Sequence, residues 1–327
     1  MNAQMMSDLV SVIVVSFNSS SFVLHTLNSV FNQTYRHIEL IISDDSSSDN
    51  TINLVEDWIT NHANRFVSVK ITQSSINKGT AYNINRGLQY AHGTWIMPLA
   101  ADDVLKTNYL QEMLEFFHSN NEIKIAYSNV EYIDSKGNLI SQCSKYYSRF
   151  NLNTTDSNFQ HEVLLRYNPV FSPSLIFNRS IIDNYGMFDE RFPLCEDLFF
   201  LIKITGKGEK IYYNPTILLQ YRLHQSSIQQ RTKEILRKYD FDYYNGLHEY
   251  ALSFYSALER SLFSFVWKKL QLFSRIYENK NTLWAKLSIF MTTSLPHFIL
   301  RIIRFKYYLA IKPRRGVGKP NDKSCSN

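Results

Sequence analysis

The chain has 327 residues, of which 44% are hydrophobic and 20% charged, with a formal net charge of +6. That balance excludes a disordered or low-complexity chain and supports one main domain with an appendage. The cysteines Cys143, Cys195 and Cys325 are far apart and lack metal spacing, so neither a disulfide framework nor a zinc site is expected, and a reducing compartment follows.

The charge is unevenly placed. Eleven Lys or Arg lie between Lys268 and Arg315 against the single acid Glu278, a local balance of +10, so the rest of the chain sums to −4. A mildly acidic body with a basic tail points to an anionic surface for the tail, not to a nucleic-acid binder.

Val10 to Val15 is an apolar, β-branched run, too short for a secretory core and without a basic segment before it; it reads as a first strand. Apolar residues at helical spacing predict a helix over 22–31. Ile38 to Ile42 is a second strand delivered onto Ser43-Asp44-Asp45-Ser46, and Ile52, Val55, Trp58 and Ile59 form the next helical face. A third strand over 66–71, a helix over 77–91 opened by Asn77-Lys78-Gly79, and a fourth strand over 94–99 continue the alternation. Such alternation predicts an α/β fold with a parallel sheet. Further on, 109–117 reads as a helix, 123–132 as a strand, 134–138 as a turn and 174–177 as a short strand. Residues 141–160 are polar, aromatic and aperiodic, as in a lid or binding loop. A helix is expected from Leu198, and 211–213 and 217–221 are strand-like.

From about Tyr243 the chain turns helical and aromatic. Leu287 to Leu300 lacks any Lys, Arg, Asp or Glu, yet its fourteen residues fall short of a membrane span and Pro296 interrupts them. Lys286, Arg301, Arg304 and Lys306 flank the run, which fits an amphipathic helix on an anionic membrane surface. The alternative is a helical subdomain packed on the body.

The fourth strand ends on Ala100-Ala101-Asp102-Asp103. In open α/β sheets the ligand crevice lies beyond the carboxyl ends of the strands. Two adjacent carboxylates there either share a divalent cation bridging to a phosphate, or one caps the following helix while the other is solvated. No glycine-rich phosphate loop follows the first strand, which runs into Ser16-Phe17-Asn18, so a dinucleotide-dependent oxidoreductase or a nucleotidyltransferase is disfavoured.

Four pieces in one order, Val12-Ile13-Val14-Val15-Ser16-Phe17-Asn18, Ser29-Val30-Phe31-Asn32-Gln33-Thr34-Tyr35, Ser43-Asp44-Asp45-Ser46-Ser47-Ser48-Asp49-Asn50-Thr51 and Ala100-Ala101-Asp102-Asp103, resemble glycosyltransferase family 2 over roughly residues 9–230. The resemblance implies a GT-A (Rossmann-like), mostly parallel sheet flanked by helices, followed by a helical, basic region over 231–327. It implies an inverting transferase moving a hexose from a UDP-sugar to a lipid-linked acceptor at the cytoplasmic face of a bacterial membrane. O-antigen or capsule repeat units on undecaprenyl diphosphate would be built this way, through a β-linkage to a GlcNAc- or GalNAc-type sugar.

By the same resemblance Asp45 accepts a hydrogen bond from a uracil or thymine base, while Asp44 and Asn18 hold ribose or support the loop. Asp49 is read as a helix cap. Asp102 and Asp103 match the motif that holds Mg²⁺ or Mn²⁺, with Asp103 as first direct ligand; the acid usual two residues before Asp102 is Ala100 here. Asp197 matches the catalytic base, with Glu196 as the alternative and a helix cap as the plain reading. His224, after Arg222, is placed at the metal or diphosphate, and Asn77 and Lys78 near the donor. A non-catalytic nucleotide-sugar or glycan-binding component is the rival, encouraged only by Ala100.

Overall fold

The computed structural model describes residues 8–141, 153, 155–166, 168–224, 236, 238–280 and 282–311. The elements run β1 (Val10–Ser16), α1 (Val23–Phe31), β2 (Ile38–Asp44), α2 (Thr51–His62), β3 (Ser68–Gln73), α3 (Thr80–Leu88), β4 (Trp95–Ala100), β5 (Val104–Leu105) and α4 (Tyr109–His118). They continue through β6 (Ile125–Ile133), β7 (Leu139–Ser141), α5 (Ser157–Leu164), β8 (Leu175–Asn178), α6 (Ser180–Tyr185), α7 (Glu196–Thr205) and β9 (Tyr212–Arg222). The last helices are α8 (Lys238–Tyr250), α9 (Ala257–Ile276) and α10 (Leu283–Ile311).

Among the described residues one sheet holds nine strands, in the order β3-β2-β1-β4-β8-β6-β9-β5, with β7 beside β6. The pairs β3-β2, β2-β1, β1-β4 and β6-β9 are parallel. β8 runs antiparallel to both β4 and β6, and short β5 and β7 are also reversed. The sheet is thus mostly parallel, as expected, and departs from a purely parallel one only where three short strands return. β1 and β2 are almost continuously buried, the pattern of strands covered on both faces.

Several boundaries differ from the sequence reading. The Asn77–Gly79 turn lies outside α3, because its amides are spent on a carboxylate rather than on a helical ladder. Val104 and Leu105, to which the sequence reading assigns no element, pair with β9. The two strand-like stretches at 211–221 are one strand, with an irregular register between Asn214 and Ile217. α5 begins inside the stretch read as aperiodic, capped by Asp156 accepting from the Phe159 amide at 2.8 Å; the remainder of that loop, from 142 to 152, lies outside the described residues, as do Cys143, Cys325 and the basic tail from 312. α10 continues through Pro296, which costs it one backbone hydrogen bond and not the helix. The proposed boundary near residue 230 also lies outside the described residues. The hydrophobic core nevertheless continues past it to Leu247, Ala251, Tyr255 and Phe263.

At the end of the sheet remote from the crevice, buried Glu39 on β2 ties three segments together. Its carboxylate accepts from the Ser11 hydroxyl and from the His92 and Gly93 amides, the last at 2.8 Å. Burial opposes ionisation, but these bonds outweigh it and hold the carboxyl below its ordinary value. Glu39→Gln would set an amide N–H against those donors and should cost about 1–3 kcal/mol in urea unfolding at neutral pH. Because the folded pKa is the lower one, the wild-type advantage should be complete above about pH 4.3 and fade as pH falls through the folded value.

Candidate active site

The register sets β1, β2 and β4 so that their carboxyl ends meet: Ser16 lies beside Asp44, and Val15 beside Ala100. The loops leaving these ends form one rim. Asp44 is buried and accepts from the Ser16 hydroxyl and the Ser47 amide, each at 2.8 Å. Asn18 takes a φ of 49° and Ser46 a φ of 67°, values uncommon for residues with side chains. The two loops hold each other there: the Asn18 amide donates to Ser47 Oγ at 2.8 Å, and Asn18 Oδ1 accepts from the Ser48 amide at 2.9 Å. Asp49 accepts from the Thr51 amide at the start of α2 and from the Ser20 amide, both at 3.0 Å.

Asp45 is equally buried. Its carboxylate accepts from the Lys78 amide at 3.0 and 3.1 Å and from the Gly79 amide at 2.6 Å. Asp44 therefore binds the β2 loop to the β1 loop, and Asp45 binds it to the turn before α3. Asn77 and Lys78 are exposed on that turn, with Lys78 Nζ 4.1 Å from the Tyr82 ring centre. Gly79 has a φ of 94°, and a Cβ there would stand 2.4 Å from Pro193 Cβ. That close approach seats the turn before α3 against the loop that leads into Glu196 and Asp197 of α7.

Asp102 and Asp103 point to different environments. Asp103 is 0% exposed; its Oδ1 accepts from the Arg222 amide at 3.0 Å, and its Oδ2 is enclosed without a hydrogen-bond partner. Burial, and then the neighbouring Asp102 charge, push its carboxyl well above the ordinary range. The Asp102 side chain is 29% exposed, and its Oδ2 lies 2.8 Å from Nε2 of His224, itself 12% exposed. Asp103 is thus the enclosed carboxylate of the pair, and Asp102, beside His224, is the more exposed one. Arg222, whose role the sequence did not convey, holds this arrangement. It is buried, with Nε donating to the Asp102 carbonyl at 2.8 Å and Nη1 to the Asp134 carbonyl at 3.1 Å. Phe22 covers both groups, 5.1 Å from the Arg222 guanidinium and 4.7 Å from the His224 ring.

α7 starts at Glu196, two residues earlier than expected, so both acids occupy its first turn. Asp197 Oδ1 accepts from the Leu198 amide at 2.7 Å, and Asp197 faces Ser172. The turn Ser172–Ser174, which Asp197 faces, lies against β4. Burial raises both carboxyls above their ordinary values, Glu196 further because Asp197 adds like charge. The motif is braced by α8, beyond the part of the chain whose residues carried the family resemblance. Asp242 accepts from the Leu194 amide at 3.0 Å, and the Tyr250 ring stacks on Phe199 at 5.4 Å. A Cβ on Gly246 would stand 2.0 Å from Phe199. A glycine in mid-helix was the one sequence signal of that close packing.

A sequence profile of the family described as Glycosyl transferase family 2 matches residues 11–186. The chain belongs to glycosyltransferase family 2. An uncharacterized glycosyltransferase of Haemophilus influenzae is 27% identical over 319 residues, covering 93% of this chain and 92% of its own length. WfaP of Escherichia coli, a UDP-Glc:alpha-D-GlcNAc-diphosphoundecaprenol beta-1,3-glucosyltransferase, is 27% identical over 237 residues, 71% of this chain and 84% of that protein. The structure of Staphylococcus aureus TarS 1-349 in complex with UDP-GlcNAc superposes with a TM-score of 0.61 at 17% identity, covering 92% of this chain and 90% of that one. The likeness establishes a GT-A fold for this family 2 enzyme.

Gly79→Ala tests the join between the two halves of the crevice in this glycosyltransferase. It forces a side chain into the left-handed region against Pro193. Transferase activity should fall at least ~10-fold while the far end of the sheet keeps its hydrogen-exchange protection.

Proposed function

We propose that this glycosyltransferase moves a hexose, glucose or galactose, from a UDP-sugar to a hydroxyl of a lipid-linked GlcNAc- or GalNAc-type acceptor, with inversion to a β-linkage. The acceptor lipid is undecaprenyl diphosphate, and the product serves O-antigen or capsule repeat-unit synthesis at the cytoplasmic face of a bacterial inner membrane. The observation that carries the reading is the pairing of Asp102 with His224 beyond β4, together with the Ser172–Ser174 turn that packs on β4 and faces Asp197. The WfaP relative supports the donor and acceptor classes.

The uracil lies on the loops joined by Asp44 and Asp45. The Asp45 carboxylate already accepts three contacts from two amides, and a carboxylate has about four acceptor sites, so one remains for a ring N–H. Asn18 and the exposed Asn77 and Lys78 border the same loops, where ribose and phosphate oxygens require donors.

Among the described residues no three His, Cys, Asp or Glu side chains gather in a metal-binding group. Asp102 and His224 nevertheless supply an oxygen and a nitrogen 2.8 Å apart at the crevice edge, a donor pair that fits Mn²⁺ or Mg²⁺ completed by diphosphate oxygens and water. Bound there, the cation would neutralise the departing diphosphate. The Arg222 contacts fix the Asp102 backbone, and the Phe22 ring packs beside His224.

Asp197 takes the proton of the acceptor hydroxyl as it attacks, with Glu196 the alternative base. A base must be ionised, so the raised pKa places the acid limb of kcat/KM above the ordinary Asp value of about 3.9, and activity falls as pH drops through it. Asp197→Asn should lower kcat by ~10²–10⁴-fold and remove that limb. The decisive assay is UDP release from a panel of UDP-sugars, with and without a synthetic GlcNAc-diphosphate-lipid. Release from one donor, stimulated by acceptor and abolished by EDTA, is expected. Full activity of Asp197→Asn, or release indifferent to every acceptor, would contradict the reading.

A further inference from the structure

α9 and α10 pack on each other, with a hydrogen bond of 2.8 Å between the Tyr277 and Ser288 hydroxyls near their junction. Ala285, Thr293 and Leu300 are buried on the inner face of α10. The outer face presents Leu283, Trp284, Phe290, Met291, Leu295 and Phe298, each between 59% and 78% exposed. At 3.6 residues per turn these six occupy an arc of about 140°, a continuous apolar stripe opposite the packed face. A water-soluble monomer rarely leaves so many large side chains uncovered on one stripe.

The charge around the stripe identifies what covers it. α10 contains no Asp or Glu and carries Lys286 beside the stripe, and its sequence continues into Arg301, Arg304 and Lys306. On α9, Lys268 and Arg275 are exposed, whereas its acid Glu259 is buried against Arg166 at 2.9 Å. A long apolar stripe beside basic side chains complements a surface that is apolar within and negative at its edge. Among the described residues no helix is long and apolar enough to cross a membrane, so the stripe is suited to lying on a bilayer.

We infer that the outer face of α10 docks into the interfacial layer of an anionic lipid bilayer. This rests on the reading of the acceptor as lipid-linked and deepens it: the buried Arg166–Glu259 pair and the Ser256–Glu259 capping box fasten the start of α9 to α5. The docked face is therefore held at a set position relative to the crevice, which can meet an acceptor headgroup at the bilayer surface.

Trp284 offers a direct probe, because it is 71% exposed while Trp58, Trp95 and Trp267 are buried. The full chain, without donor or acceptor, is titrated with vesicles of phosphatidylglycerol and phosphatidylethanolamine, and with phosphatidylcholine vesicles. The anionic vesicles should shift tryptophan emission to the blue and carry the protein in flotation. Binding to phosphatidylcholine should be at least ~10-fold weaker, and added salt should weaken the anionic binding. Trp284→Phe should bind without the spectral shift. The combination Trp284→Gln, Phe290→Gln, Met291→Gln and Leu295→Gln, all at exposed positions, should lower partitioning by at least ~100-fold while keeping transfer to a short-chain, water-soluble acceptor.

Undiminished vesicle binding by the fourfold variant, or equal binding to both vesicle types, would overturn the inference. So would a concentration-dependent dimer that the same substitutions dissolve, together with no vesicle binding. Transfer to the soluble acceptor without vesicle binding sinks the docking face and leaves the transfer reading standing. Vesicle binding with no transfer to any acceptor does the reverse.

Discussion

A guanidinium enclosed in a protein must find acceptors for its donors, and Arg222 finds them on two different loops. Its side chain takes the carbonyls of Asp102 and Asp134, while its own amide goes to the Asp103 carboxylate. The loop after β4, the turn after β6 and the end of β9 cannot move apart without stranding a buried charge, an expensive outcome. One residue away, with Asp103 held inward, Asp102 is the more exposed carboxylate, beside His224.

The same division of labour operates twice at this rim. At each of two strand ends a pair of adjacent aspartates joins separate pieces of chain. Asp44 closes the β2 loop on the β1 loop, and Asp45 closes it on the turn before α3. Pro193 then abuts that turn at Gly79, and α8 braces Leu194 and Phe199 from behind. A line of direct contacts thus runs from the loops after β1 and β2 through the acid motif to the C-terminal helices. The core continues from the sheet into α8 and α9, on which α10 packs, so the face of α10 keeps a set relation to α7.

The strands and helices of the first half were legible because their apolar spacing is regular and their faces are covered on both sides. β5 and β7, at two and three residues, are too short to leave a period. The start of α7 at Glu196 was missed because apolar spacing begins only at Leu198. The positions of Asn18, Asp44, Asp45 and Asp102 at or just beyond strand ends were legible because motif and strand end coincide there, whereas Asp197 stands in the first turn of α7. Which aspartate of a pair faces inward was not, because the answer depends on Arg222, about 120 residues away in the chain. Glu39 was equally opaque: it sits within an apolar strand, and its partners Ser11, His92 and Gly93 come from two other segments.

In the proposed reaction one carboxylate, Asp197, serves as base for direct displacement at the anomeric carbon, on the face opposite the departing diphosphate. The configuration of the new glycosidic bond, read by proton NMR on the isolated product of a UDP-α-sugar, tests this most directly. Direct displacement predicts a β-linked product. An α-linked product would require a retaining mechanism and would contradict the role given to Asp197.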